Sequence, residues 1–95
     1  MATIDKTQAL LRTKVMLVRV WKLAEEPTSD KSLRAAPPTG LGKNSYQIRA
    51  LEGPIERVDF KDVNADVIGD DLIKAKTVGE LRDRIWDGIP PANQS

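Results

Sequence analysis

Ser45 is the residue in this chain of 95 whose setting best suits chemistry. It lies in the run Leu41-Gly42-Lys43-Asn44-Ser45-Tyr46, where an irregular stretch gives way to the apolar spacing of a helix. A serine at such a junction keeps its hydroxyl in solvent. A phosphate ester formed on it would lie beside the positive end of the helix dipole. Gly42 gives the backbone room to turn into the helix and lets a modifying enzyme approach closely. The plainer alternative is that Ser45 or Asn44 simply caps the helix, since both residue types favour that position.

The rest of the composition narrows the chemistry. There is no cysteine, hence no disulfide framework and no thiolate nucleophile. There is no histidine, which removes the usual general base, the Ser-His-Asp arrangement and most transition-metal sites. An enzyme acting alone would have little to work with. Asp59, Asp62, Asp66, Asp70 and Asp71 gather carboxylates in a short span, but a calcium loop needs tighter alternation and a bidentate closing glutamate. Solvated helix ends and caps explain them better. Gly40-Leu41-Gly42-Lys43 lacks the spacing of a nucleotide-binding loop. Arg82, Asp83 and Arg84 read as a charged outer face, and Trp21 and Trp86 as anchors at the core edge.

Fifteen Lys and Arg against fourteen Asp and Glu leave a net charge of +1. The basic residues are interleaved with acids, so binding of nucleic acid through phosphate neutralisation has little support. The longest apolar run, Val15 to Val18, is far too short to cross a bilayer. Met1 to Thr7 carries no signal pattern, which makes a cytoplasmic monomer without membrane insertion the expectation.

The elements that must position Ser45 follow from the apolar periodicity. With 40% apolar and 31% charged residues the chain has the composition of one globular domain over residues 1–95. A first helix is expected from about Asp5 to Glu25, capped by Asp5 with Gln8 and limited by Pro27. Leu11, Val15 and Val18 would form one apolar row and Leu10, Leu17, Trp21 and Ala24 the next. The β-branched run Val15 to Val20 is the point where a strand competes. Residues 27–43, rich in Pro and Gly, read as a long loop. The second helix should begin at Asn44 or Ser45 and carry Ile48, Leu51, Ile55 and Val58, with a kink or break at Gly53-Pro54. Its rival is a pair of strands, Tyr46 to Ala50 and Ile55 to Phe60. Gly69-Asp70-Asp71 opens a short helical turn. Thr77 with Glu80 caps a last helix whose face is Val78, Leu81 and Ile85, and in which Glu80 can pair with Arg84. Residues 90–95 are expected to be a frayed, flexible tail.

This order, a long helix, a long loop, Leu-Gly-x-x-Ser, a helix, a short turn, then Thr77-Val78-Gly79-Glu80-Leu81, resembles the acyl and peptidyl carrier proteins. Their attachment motif is typically Asp-Ser-Leu after a Leu-Gly pair, and their last helix commonly starts with Thr-Val. The likeness in residues covers Leu41 to Ser45 and Lys74 to Ile85. It implies an all-α fold, a small antiparallel bundle of three main helices plus a short one. It also implies 4'-phosphopantetheine on Ser45, placed there by a phosphopantetheinyl transferase, and acyl-loading and acyl-transfer enzymes as partners. Gly42, Asn44 and Tyr46 would then flank the attachment point, while Leu41, Ile48 and Leu51 would meet the arm or its acyl chain. Asn44 stands where the family has aspartate, Tyr46 where it has leucine, and Arg49 and Arg57 lie on a helix that is normally acidic. The other reading open to the sequence is an interaction module without a cofactor, helical or α+β.

Overall fold

The first helix starts where a reciprocal cap can form. Asp5 Oδ1 accepts from the Gln8 N–H at 2.7 Å, and Gln8 Oε1 accepts from the Asp5 N–H at 2.9 Å, which satisfies donors that a helix start leaves free. Helix α1 then runs over Lys6–Trp21 in the computed structural model, which describes residues 2–95. The β-branched run is helical. The helix ends short of Glu25 because Lys22 turns left-handed, at φ 54°, and the Leu23 N–H reaches back to the Val18 carbonyl at 3.1 Å. That closure stops the helix before Pro27 is reached.

The buried face of α1 is Ala9, Thr13, Met16 and Leu17, with Leu10, Val20 and Trp21 at its margin. Two of the three residues in the expected row Leu11-Val15-Val18 lie outside: Leu11 is 56% and Val15 46% exposed. The reason is Thr13, a polar residue that sits in the core with its hydroxyl donating to the Ala9 carbonyl at 2.8 Å. A satisfied hydroxyl costs little when buried, so the true face contains a residue that apolar counting skips.

The second helical run follows Ser45. Helix α2 spans Ser45–Arg49 and α3 Glu52–Pro54, followed by a π-helical turn over Ile55–Asp59 and a 3-10 turn over Lys61–Val63. Ala50 (φ −66°, ψ −10°) and Leu51 (φ −69°, ψ −15°) stay right-handed between α2 and α3, so the path is one bent helical run and the strand pair is not formed. Pro54 has no N–H to give the Ala50 carbonyl. The run adapts by tightening before it, where Leu51 N–H bonds the Ile48 carbonyl at 3.1 Å. After it the run widens, where Phe60 N–H bonds the Ile55 carbonyl at 3.0 Å.

Helix α4, Gly69–Leu72, has no side-chain cap of its own. The bent run supplies acceptors instead: Glu52 Oε1 accepts from the Gly69 N–H at 2.7 Å and Glu56 Oε2 from the Val67 N–H at 2.9 Å. Helix α5, Val78–Asp87, is capped by Thr77 Oγ1, which accepts from the Glu80 N–H at 3.2 Å. The Glu80 carboxylate reaches the Lys76 N–H at 3.3 Å, where a full capping box would have it reach the Thr77 N–H. Arg84 pairs with Asp71 at 3.0 Å, tying α5 to α4, and not with Glu80.

Val78, Leu81 and Ile85 of α5 are buried as expected and join Ile48, Leu51, Ile55, Phe60 and Leu72 in one aliphatic core. Helix α1 packs chiefly on α5. The result is a small all-α bundle. Pairing of extended backbone among the described residues is confined to isolated bridges, Ile4 with Gln94 and Ser32 with Gly40 and Thr77. Among the described residues no helix is long and apolar enough to cross a membrane. The closing residues, expected to fray, are tied down. Asn93 is 1% exposed, its Nδ2 donates to the Val63 carbonyl at 2.8 Å, and its own carbonyl accepts from the Ile4 N–H at 2.9 Å.

Candidate functional site

The stretch before Ser45 is irregular but held. Leu33 is fully buried and anchors it to the core. The Leu33 N–H donates to the Lys76 carbonyl at 2.9 Å, and the Leu33 carbonyl accepts from the Lys43 N–H at 2.8 Å. Leu41 N–H bonds the Ser32 carbonyl at 2.9 Å and Gly42 N–H the Ala35 carbonyl at 2.8 Å. The chain thus folds back on itself between Leu33 and Lys43. Gly42 makes the last turn at φ 67°, a conformation that a residue with a Cβ rarely adopts.

Asn44 follows in extended conformation and takes the cap. Its Oδ1 accepts from the Gln47 N–H at 2.9 Å, and Gln47 Oε1 accepts from the Asn44 N–H at 3.0 Å. Of the two residues eligible as the cap, it is Asn44 that serves, and Ser45 becomes the first residue of α2. The Ser45 hydroxyl is therefore not spent on the helix. The side chain is half-buried, and its Oγ accepts a hydrogen bond from Arg34 Nη1 at 2.8 Å. Arg34 Nη2 donates to the Ile73 carbonyl, also at 2.8 Å. One planar guanidinium thus spans from the serine to the end of α4. It occupies a lone pair of Oγ and leaves the O–H free to donate.

The other residues around the site divide between surface and core. Tyr46 is 77% exposed, while Ile48 and Leu51 are fully buried beneath it and Leu41 is half-buried against the core. Lys43 places its ammonium 5.3 Å from the centre of the Trp21 ring, within range of a cation–π contact. Arg49 pairs with Asp70 at 2.9 Å. Between Lys31 and Leu51 the chain carries Lys31, Arg34, Lys43 and Arg49 and no carboxylate. Helix α2 is only five residues long, so little dipole builds up behind Ser45. The positive charge at the hydroxyl comes from Arg34.

Arg34 is the residue that sequence reasoning missed. It lies in an aperiodic stretch eleven positions before its partner, with no motif around it. The one trace it left is the absence of acids from Lys31 to Leu51.

The carboxylates further along are engaged elsewhere. Asp59 pairs with Arg19 at 2.5 Å and Asp62 with Arg12 at 2.7 Å, fastening the bent run to α1. The hydrogen bond from Arg12 holds the Asp62 carboxyl below the usual carboxylate range. Asp70 and Asp71 face Arg49 and Arg84. Among the described residues no three metal-ligating side chains come together. Comparison of the chain with protein-family models, with curated proteins and with solved structures found no match.

Proposed function

We propose that this chain is a carrier protein of the acyl-carrier type, holding an acyl or peptidyl intermediate on phosphopantetheine attached to Ser45. One observation carries the reading. A serine hydroxyl at the start of a helix is released from capping by Asn44 and stands 2.8 Å from a guanidinium. The residues present fit the group: Ser45 Oγ would bear it, Arg34 would face its phosphate, and the bond between the two lies at the exposed surface where a modifying enzyme could approach. When bound, the arm supplies a thiol for acyl transfer, which a chain without cysteine or histidine lacks.

Ser45 Oγ would supply the bond to the pantetheine-side phosphorus of coenzyme A, with adenosine bisphosphate as the leaving group and the hydroxyl proton passing to the transferase. The chain itself is not a catalyst. Leu41 and Gly42 shape the approach, Tyr46 flanks it, and an acyl chain that reached Ile48 and Leu51 would do so by entering the core. Arg49 and Arg57 suit loading and transfer enzymes whose docking surfaces carry the complementary sign.

A second reading, a cofactor-free interaction module, draws on the exposed apolar residues Leu11, Val15, Val58 at 61% and Ile68 at 67%. Intact mass after incubation with coenzyme A and a broad-specificity phosphopantetheinyl transferase separates the two. A single added arm, absent in Ser45→Ala, is the expected result. A folded wild-type chain that gains no mass rejects the carrier and leaves the module.

A further inference from the structure

We infer that Arg34 is the positioning residue for a phosphate ester on Ser45, keeping the hydroxyl aimed before modification and pairing with the phosphate afterwards. The inference takes its diester form from the carrier reading above, but the contact it describes serves a phosphomonoester equally.

The argument is geometric. Arg34 Nη1 lies 2.8 Å from Ser45 Oγ, the atom to which phosphorus would be joined. Non-bridging phosphate oxygens lie two bonds beyond that atom, so rotation about the Cβ–Oγ and Oγ–P bonds can turn one of them toward the guanidinium already beside it. Arg34 Nη2 is held by the Ile73 carbonyl at 2.8 Å, which fixes the plane of the guanidinium. Leu33, next in the chain, is fully buried, so the backbone that launches the side chain is itself anchored. A planar, pre-aimed guanidinium forms stronger charge-assisted bonds to phosphate than to a neutral hydroxyl. The surrounding segment, Lys31 to Leu51, places no carboxylate in competition within the sequence neighbourhood of the serine. Lys43, two residues before Ser45, is placed over the Trp21 ring and leaves Arg34 as the cation bonded to Oγ.

Two arms of one experiment test it and tell the sources of phosphate apart. In the first, phosphoserine is incorporated at position 45 of the full chain and the phosphate is titrated by phosphorus NMR. The midpoint should fall below that of the same chain carrying Arg34→Gln by about one pH unit, the size expected for an anion beside a guanidinium. Arg34→Lys, which keeps the charge without the fork, should lie between. Circular dichroism confirms that each variant is folded, and Arg34→Lys carries the comparison if Arg34→Gln is not.

In the second arm, loading from coenzyme A by the transferase should be roughly tenfold slower in kcat/KM for Arg34→Gln, the loss of about 1.4 kcal/mol of transition-state stabilisation. Lowered midpoints without any loading of the wild type would reject the carrier and keep the phosphate contact, now that of a monoester. Equal midpoints in wild type and folded variants overturn the inference, whatever the loading shows.

Discussion

Helices α1 and α2 begin with the same local device and put it to different ends. At each start an Asx side chain accepts from the backbone N–H three residues on, and a glutamine there returns the favour: Asp5 with Gln8, Asn44 with Gln47. The residue that follows the cap is where they part. In α1 it is Lys6, exposed, with its ammonium 5.9 Å from the centre of the Trp86 ring. In α2 it is Ser45, half-buried, with a guanidinium from a distant stretch bonded to its hydroxyl. A cap is thus a purely local matter, whereas what stands behind it is decided by the tertiary fold. The lesson is that a serine beside a cap becomes interesting only when something reaches it from outside its own helix.

The comparison breaks most severely at Leu33. Leu33→Ala empties a fully buried position and should cost about 2–5 kcal/mol in urea denaturation. It should also slow any loading of Ser45, because Arg34 loses its anchor, while the start of α1 is untouched. Next in size are the caps themselves. Asp5→Ala and Asn44→Ala should each lower stability by about 1 kcal/mol, and similar losses would show that the two boxes are equivalent. Ser45→Ala and Lys6→Ala should by contrast stay within about 0.5 kcal/mol of wild type. A large loss at Ser45 would mean that the hydroxyl has a structural duty after all.

A pH-dependent effect sharpens the α1 side. The hydrogen bond from Arg12 lowers the Asp62 carboxyl below its ordinary range. A depressed folded value means that the stabilisation is present at neutral pH and disappears as the pH falls through the acid range and past that lowered value. Asp62 is about half exposed, 48% by side chain, so the contribution is under about 1 kcal/mol. Acid unfolding of Asp62→Asn, followed by circular dichroism, should begin from a slightly less stable protein and fall less steeply below pH 4 than the wild type.

Much of the fold was legible because it is written locally. Asp5 with Gln8, Thr77 before Glu80, and the triplet Val78, Leu81 and Ile85 all act within one or two turns, and the structure places each where spacing put it. Pro54 announced the break in the second run through the donor that it lacks. Most of the failures turn on partners outside the element concerned, and one on a local polar contact that apolar counting skips. Thr13 is in the core because its hydroxyl found the Ala9 carbonyl, which shifted the buried face away from Leu11 and Val15. Arg84 chose Asp71 over a neighbour on its own helix. Asn93 is pinned by the Val63 carbonyl and by Ile4, from opposite parts of the sequence. At the candidate site, the motif and the turn at Gly42 were visible, but Arg34 was not, since no spacing rule connects it to Ser45.

The uninterrupted positive sign of the segment from Lys31 to Leu51 also acts before any contact is made. Arg49 is paired with Asp70, but Lys31, Arg34 and Lys43 form no ion pair among the described residues and cast a field that a visiting protein meets at a distance, orienting it and speeding its arrival if its own surface is acidic. Dissolved ions thin that field over roughly 10 Å at 0.1 M salt. Whatever comes to Ser45 therefore meets a gate whose strength is set by the surrounding electrolyte as well as by the shape of the protein.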